Sequence, residues 1–131
     1  MKLALVAART AVAACKGWRV GVSVVDAAGM PKLYYIPDGT TGYHAYTAFR
    51  KAWTALTFRV PTSTVGAMTK ADPAVRDRIV EDSNFLSFAG GLPIFVNGEL
   101  IGAIGVSGAE PSETDERCAV AALKKIQGRL R

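Results

Sequence analysis

The chain has 131 residues, is 50% hydrophobic and 21% charged, and carries a formal net charge of +5. Its length is that of one domain, and its apolar content excludes disorder. The basic residues are scattered and gather only at Lys124, Lys125, Arg129 and Arg131, where a basic last turn complements a helix dipole; this argues against nucleic acid or a membrane as partner and leaves a small-molecule ligand.

At the N-terminus, Leu3 to Ala8 is apolar, but Arg9 cuts the run short of a secretory signal. Leu5, Ala8, Val12 and Cys15 fall at helical spacing. Residues 2–16 therefore read as an amphipathic helix of the folded protein, ended by Gly17. Val20, Val22 and Val24 then alternate as a strand does. A turn at Asp26-Ala27-Ala28-Gly29 joins them to a second short strand, Lys32 to Ile36, giving a hairpin. Asp38-Gly39 breaks that strand. Residues 43–58 contain no glycine or proline and predict the longest helix, with Thr40 or Thr41 as its cap.

Pro61-Thr62-Ser63 opens another short element, and Asp72-Pro73 opens a helical turn reaching about Asp82. Gly90-Gly91 is a hinge. Leu92 to Val96 and Glu99 to Ser107 flank Asn97-Gly98, a strong hairpin turn. Gly102 and Gly105 inside the second of these strands call for a close approach by another backbone or a ligand. Ser112-Glu113-Thr114-Asp115 starts a last helix running to about Leu130. The order helix, hairpin, helices, hairpin, helix gives an α+β fold. Helices pack on an antiparallel sheet built from two hairpins, in a single domain over residues 1–131. Nothing is long enough to span a membrane.

Cys15 and Cys118 lie in alanine-rich helical stretches without metal-ligand spacing. The expectation is free cysteines acting as small apolar residues in a reduced, cytoplasmic protein. A disulfide stays open as the alternative, since the two helices can be neighbours in space.

Three stretches form a pattern in order. They are Val22-Ser23-Val24-Val25-Asp26 with Gly29; Asp38-Gly39 followed by Lys51-Ala52-Trp53-Thr54-Ala55; and Gly90-Gly91-Leu92-Pro93-Ile94 with Gly102-Ala103-Ile104-Gly105-Val106-Ser107-Gly108. Asp115 and Cys118-Ala119 continue it. Together they make the chain resemble the GlcG/HbpS family, which includes the C-terminal domain of PduO-type proteins. The resemblance covers nearly the whole chain. It implies a profilin-like α/β sandwich, assembly as a homo-oligomer and a link to haem, which several members bind and some are described as degrading or using in redox sensing. The chain departs from the family twice: Ile36 stands where an Arg is usual before the Asp-Gly pair, and His44 where a Ser is usual at the start of the long helix.

His44 is the only histidine. A neutral imidazole suits an iron ligand or a general base, so it is the candidate haem-iron ligand; otherwise it is a surface or capping histidine. Lys51, two turns on, lies on the same helix face roughly 10 Å away. It reads either as a partner for a haem propionate or anionic substrate, or as a structural ion pair with Asp26 or Asp38. Ala48 and Ala55 on that face leave room for something flat. Tyr43 and Tyr46 flank His44 and offer stacking or a hydrogen bond. Asp38 and Ser107 complete the candidate binding set, with Ser107 on a glycine-flanked strand end. No metal-ligand cluster, phosphate loop or catalytic triad is present in the sequence. Three functions follow: a haem- or tetrapyrrole-binding module; an isomerase, cyclase or dehydratase using His44, Lys51 and Tyr46 in acid–base catalysis; or a structural or regulatory subunit without a ligand, its His44–Lys51 face buried in a subunit contact.

Overall fold

The computed structural model describes residues 2–130. Arg131 of the basic tail and Met1 of the apolar leader lie outside them. The elements follow in the order α1 (Lys2–Ala14), β1 (Gly21–Asp26), β2 (Pro31–Tyr35), α2 (Gly42–Phe58), α3 (Thr62–Ala71), α4 (Pro73–Glu81), β3 (Gly91–Val96), β4 (Glu99–Ser107) and α5 (Ser112–Ile126), with a short 3₁₀ turn at Gln127–Arg129. The α+β reading from sequence holds. The two hairpins join through an antiparallel β1–β4 pairing, giving a four-stranded sheet in the order β2-β1-β4-β3. Asn97 and Gly98 both have positive φ, 51° and 82°, the backbone a tight β3–β4 turn requires.

Strand alternation sorts the core onto the two faces of the sheet. Val22, Val24, Leu92, Ile94, Ile104 and Val106 pack under α1 and α5 with Ala7, Ala8, Ala11, Ala119 and Ala122. On the opposite face, Val25 and Ala103 meet Ala52, Ala55 and Leu56 of α2. The result is three layers: α1 and α5, the sheet, and α2.

Alanines and glycines set how closely α2 approaches. A Cβ built on Gly105 would collide with the Ala48 carbonyl oxygen and Ala52 amide, and one on Gly91 with the Lys51 carbonyl oxygen. Here the expectation about Gly105 holds, and the approaching group is backbone. The reading of Ala48 and Ala55 as room for a ligand is corrected by the same contact. Both are fully buried, and the β-sheet occupies the space they leave.

The cysteine expectation is also corrected. Cys15 and Cys118 form a disulfide linking the end of α1 to α5, with Cα atoms 5.6 Å apart. Small residues on the facing sides of these helices bring the two positions within bridging distance. Disulfides persist in oxidising surroundings, so the argument from free thiols to a cytoplasmic location loses its footing. Among the described residues, no helix is long and apolar enough to cross a membrane.

Candidate functional site

The end of β4 and the start of α2 meet where the sheet runs out. Thr41 caps α2, its Oγ1 accepting from the His44 amide at 3.3 Å. This fixes the first turn and places His44 over Ser107, the last residue of β4. His44 Nδ1 lies 3.4 Å from Ser107 Oγ, which lies 2.6 Å from Thr47 Oγ1, and Thr47 Oγ1 donates to the His44 carbonyl oxygen at 3.3 Å. Each hydroxyl has one proton. The three bonds coexist in only one direction: Thr47 donates to the carbonyl, Ser107 donates to Thr47, and His44 Nδ1–H donates to Ser107. In that arrangement the neutral ring keeps its lone pair on Nε2.

One turn deeper, Lys51 is 3% exposed. Its Nζ donates to the Val106 carbonyl oxygen and to Asp115 Oδ2, each at 3.1 Å. Asp115 Oδ1 accepts from the Ala109 amide at 2.9 Å. Burial is the largest influence on both groups. It pushes the Lys51 ammonium below its ordinary value and the Asp115 carboxyl above its own, and the attraction between them offsets only part of this. The ion pair with Asp26 or Asp38 is not formed: Asp115 takes Lys51, and Asp26 pairs with Lys32. Nor is Asp115 a cap of α5, whose N-terminus carries no side-chain cap.

His44 stands between two open compartments. One, of about 310 Å³, is lined by Tyr43, His44, Thr47, Lys51, Phe88, Ser107 and Asp115 among others. The other, of about 340 Å³, is lined by Gly17, Trp18, Arg19, Gly39, Thr41, His44 and Gly108. Phe88 and Ser112 separate the first compartment from a third of about 350 Å³ that reaches Ser63 and Lys70. Each is within the size range of small-molecule sites. Tyr43 stands edge-on to the His44 ring with centroids 5.4 Å apart.

Of the residues singled out from sequence, the fold brings His44, Tyr43, Lys51 and Ser107 together. It leaves two outside. Tyr46 lies on another side of α2 beneath the Arg50 guanidinium, and Asp38 is exposed in the β2–α2 turn and lines none of these compartments. Sequence reasoning did not single out Thr47, Trp18, Arg19 or Phe88, and it placed Asp115 in the family pattern and at a helix start without pairing it with Lys51. Thr47 was within reach, being three residues after His44 and so on its face of the helix.

The fold is a three-layer α+β sandwich with two open compartments beside a single histidine at the end of its central strands. The chain belongs to the HbpS-like family: the model for "Haem degrading protein HbpS-like" matches residues 1–124. It is similar to a Streptomyces reticuli HbpS double mutant, 33% identical, over 95% of this chain and 84% of that one with a TM-score of 0.86. It is also similar to a PduOC:heme complex, 25% identical, over 95% of this chain and 91% of that one with a TM-score of 0.87. An uncharacterized 15.0 kDa Citrobacter freundii protein, from the dhaT-dhaS intergenic region, is 31% identical over 77% of this chain and 71% of its own length.

Proposed function

We propose that the cleft at the start of α2 binds haem or a related planar tetrapyrrole, with His44 as the residue that meets it. One observation carries this reading: the chain Thr47–Ser107–His44 occupies Nδ1 and leaves Nε2 free on a wall shared by two compartments. An imidazole held through its second nitrogen is the usual form of a metal-ligating histidine. The donor set therefore fits a haem, and a bound haem would supply a redox-active iron. Membership of an HbpS-like family and similarity to a PduO-type structure in complex with heme support the same reading. Tyr43 is placed to pack against a flat ligand, whereas the Lys51 ammonium is held by Asp115 rather than free to meet a propionate. Titration of the wild type and His44→Ala with haem tests it. Saturable binding with a Soret shift lost in the variant is expected; binding indifferent to the substitution would remove His44 from the site. Light scattering of the same samples tests the homo-oligomer.

A second reading rests on the buried Lys51–Asp115 pair on the wall of the same cleft. Desolvated, opposed groups beside a free imidazole lone pair are the equipment of acid–base catalysis. In an isomerase, cyclase or dehydratase, His44 Nε2 would take the proton, and the Lys51–Asp115 pair would hold the wall of the cleft behind it. Hydrogen–deuterium exchange at the α-carbon of small keto acids, followed by NMR, separates the readings. Exchange that disappears in His44→Gln favours an enzyme.

A further inference from the structure

We infer that Arg19, with Trp18 and Gly39, forms a carboxylate-binding subsite beside His44, so that the ligand of this cleft is a planar acid. The inference deepens the binding reading above and rests on it. The cleft has two cations next to His44, one in each compartment: Lys51 and Arg19. Lys51 is neutralised by Asp115 at 3.1 Å and sealed from water, so it has little charge left for a ligand. Arg19 differs on each point. It is exposed, and no carboxylate among the described residues pairs with it.

Its position is specified by the backbone around it. Gly39 has φ +91°, and a Cβ there would overlap the Arg19 guanidinium; a Cβ on Gly108, φ +132°, would run into the Arg19 carbonyl oxygen. Two glycines thus leave the space that Arg19 fills on the compartment wall. Trp18, exposed like Arg19, lines the same compartment. A guanidinium fork and an aromatic ring lining one compartment suit a carboxylate on a flat body, since the fork takes both oxygens and the ring takes the plane. The two acidic residues lining the cleft, Glu110 and the Lys51-paired Asp115, both lie in the Lys51 compartment and neither lines the Arg19 one. The charge across the cleft therefore orients such a ligand, with its acid toward Arg19 and its apolar edge toward Phe88.

Two sources of carboxylate, a tetrapyrrole propionate and a smaller aromatic acid, are told apart by the probe. Haem and haem dimethyl ester are each titrated into the wild type, Arg19→Gln and Arg19→Lys, with absorbance and Trp fluorescence as readouts. The expected result is that haem binds the wild type about tenfold more tightly than its ester does. Arg19→Gln should reduce haem to the level of the ester and leave the ester unchanged, and Arg19→Lys should recover only part. Thermal melts check that each variant is folded, as expected for an exposed side chain. Haem binding that is equal in the wild type and Arg19→Gln overturns the subsite and leaves the haem reading standing. If neither tetrapyrrole binds, the haem reading fails, and 2-naphthoate is set against 2-naphthamide in the same proteins. Quenching by the acid alone, lost in Arg19→Gln, upholds the subsite; no difference between acid and amide overturns it.

Discussion

Lys51 and Asp115 meet 3.1 Å apart with only 4% and 2% of their side chains exposed. They tie the middle of α2 to the first turn of α5 across the end of β4, and so connect the two helical layers past the end of a central strand. Taking both charges from water is costly, and their attraction offsets that only while both are present. Lys51→Met or Asp115→Leu should each destabilise the fold by about 3–5 kcal/mol, read from urea denaturation. The double variant Lys51→Met with Asp115→Leu should recover most of that loss. A double variant as unstable as the sum of the two singles would mean the pair is not coupled.

The same pair sets a pH dependence. Burial raises the Asp115 carboxyl above 3.8, so its contribution to stability is fully present below pH 3.8 and lost as pH rises through the folded-state value. Burial lowers the Lys51 ammonium below 10.5, so its contribution is present above that pH and lost as pH falls through its folded-state value. Both shifts thus oppose the charged pair between pH 3.8 and 10.5, where it is least favourable relative to the unfolded chain. The stability of the double variant relative to the wild type should therefore peak near neutrality and decline toward both ends. Urea midpoints of the two proteins from pH 4 to 10 check this, and a difference that is flat with pH would count against the burial argument.

Gly105 is where α2 touches the sheet. The Cβ of Gly105→Ala would meet the Ala48 carbonyl and the Ala52 amide, and backbone has no rotamer with which to yield. We expect a loss of about 3 kcal/mol, at the upper end of overpacking costs. Because His44 and Ser107 are held by these same two elements, ligand binding should weaken as well. Gly98→Ala, at a turn where a Cβ meets nothing, is the control: some strain from its φ of 82° and no change in binding.

Much of this architecture was legible in the chain. Alternating valines, Asn97-Gly98 and the Thr41 cap are local signals, and each gave its element within one or two residues. What stayed hidden depended on distance. Asp115 is 64 residues from Lys51 and Ser107 is 63 from His44, and nothing local to Lys51 distinguishes Asp115 from Asp26 or Asp38 as its partner. The alanines of α2 misled for a related reason. Small residues mark a close approach without saying whether a ligand or a strand makes it, and the answer lay in Gly105 on another element. Arg19 carried no signal at all, because only the fold places it over Gly39.

The Cys15–Cys118 bridge closes a separation of 103 residues. Constraining an unfolded chain over such a loop stabilises the native state by about 5 kcal/mol in the chain-entropy account. Replacing both cysteines by serine, or adding a reductant that reaches the bond, should lower the urea midpoint by a corresponding amount. Non-reducing peptide mapping should recover the linked pair from the wild type. Since Gly17, Trp18 and Arg19 follow Cys15 closely and line the compartment beside His44, loss of the bridge should weaken binding through that wall, whereas Gly105→Ala acts through α2 and β4.

Ser107→Ala tests the hydrogen-bond chain itself. The substitution removes the acceptor of His44 Nδ1–H and a donor to Thr47, while Thr47 keeps its bond to the His44 carbonyl. The loss to stability should be about 1 kcal/mol, that of a hydrogen bond whose other partners can be satisfied elsewhere. The loss to binding should be larger, about tenfold in haem affinity, because a ligating histidine without its anchor is free to change tautomer and turn. A Ser107→Thr variant retains the hydroxyl and should bind nearly as the wild type does if its methyl is accommodated. Haem titrations of the three proteins give the ordering. If Ser107→Ala and the wild type bind alike, His44 meets its ligand without the chain, and the reason for a buried Ser107–Thr47 pair at the end of β4 must then be packing of α2 rather than the aim of the imidazole.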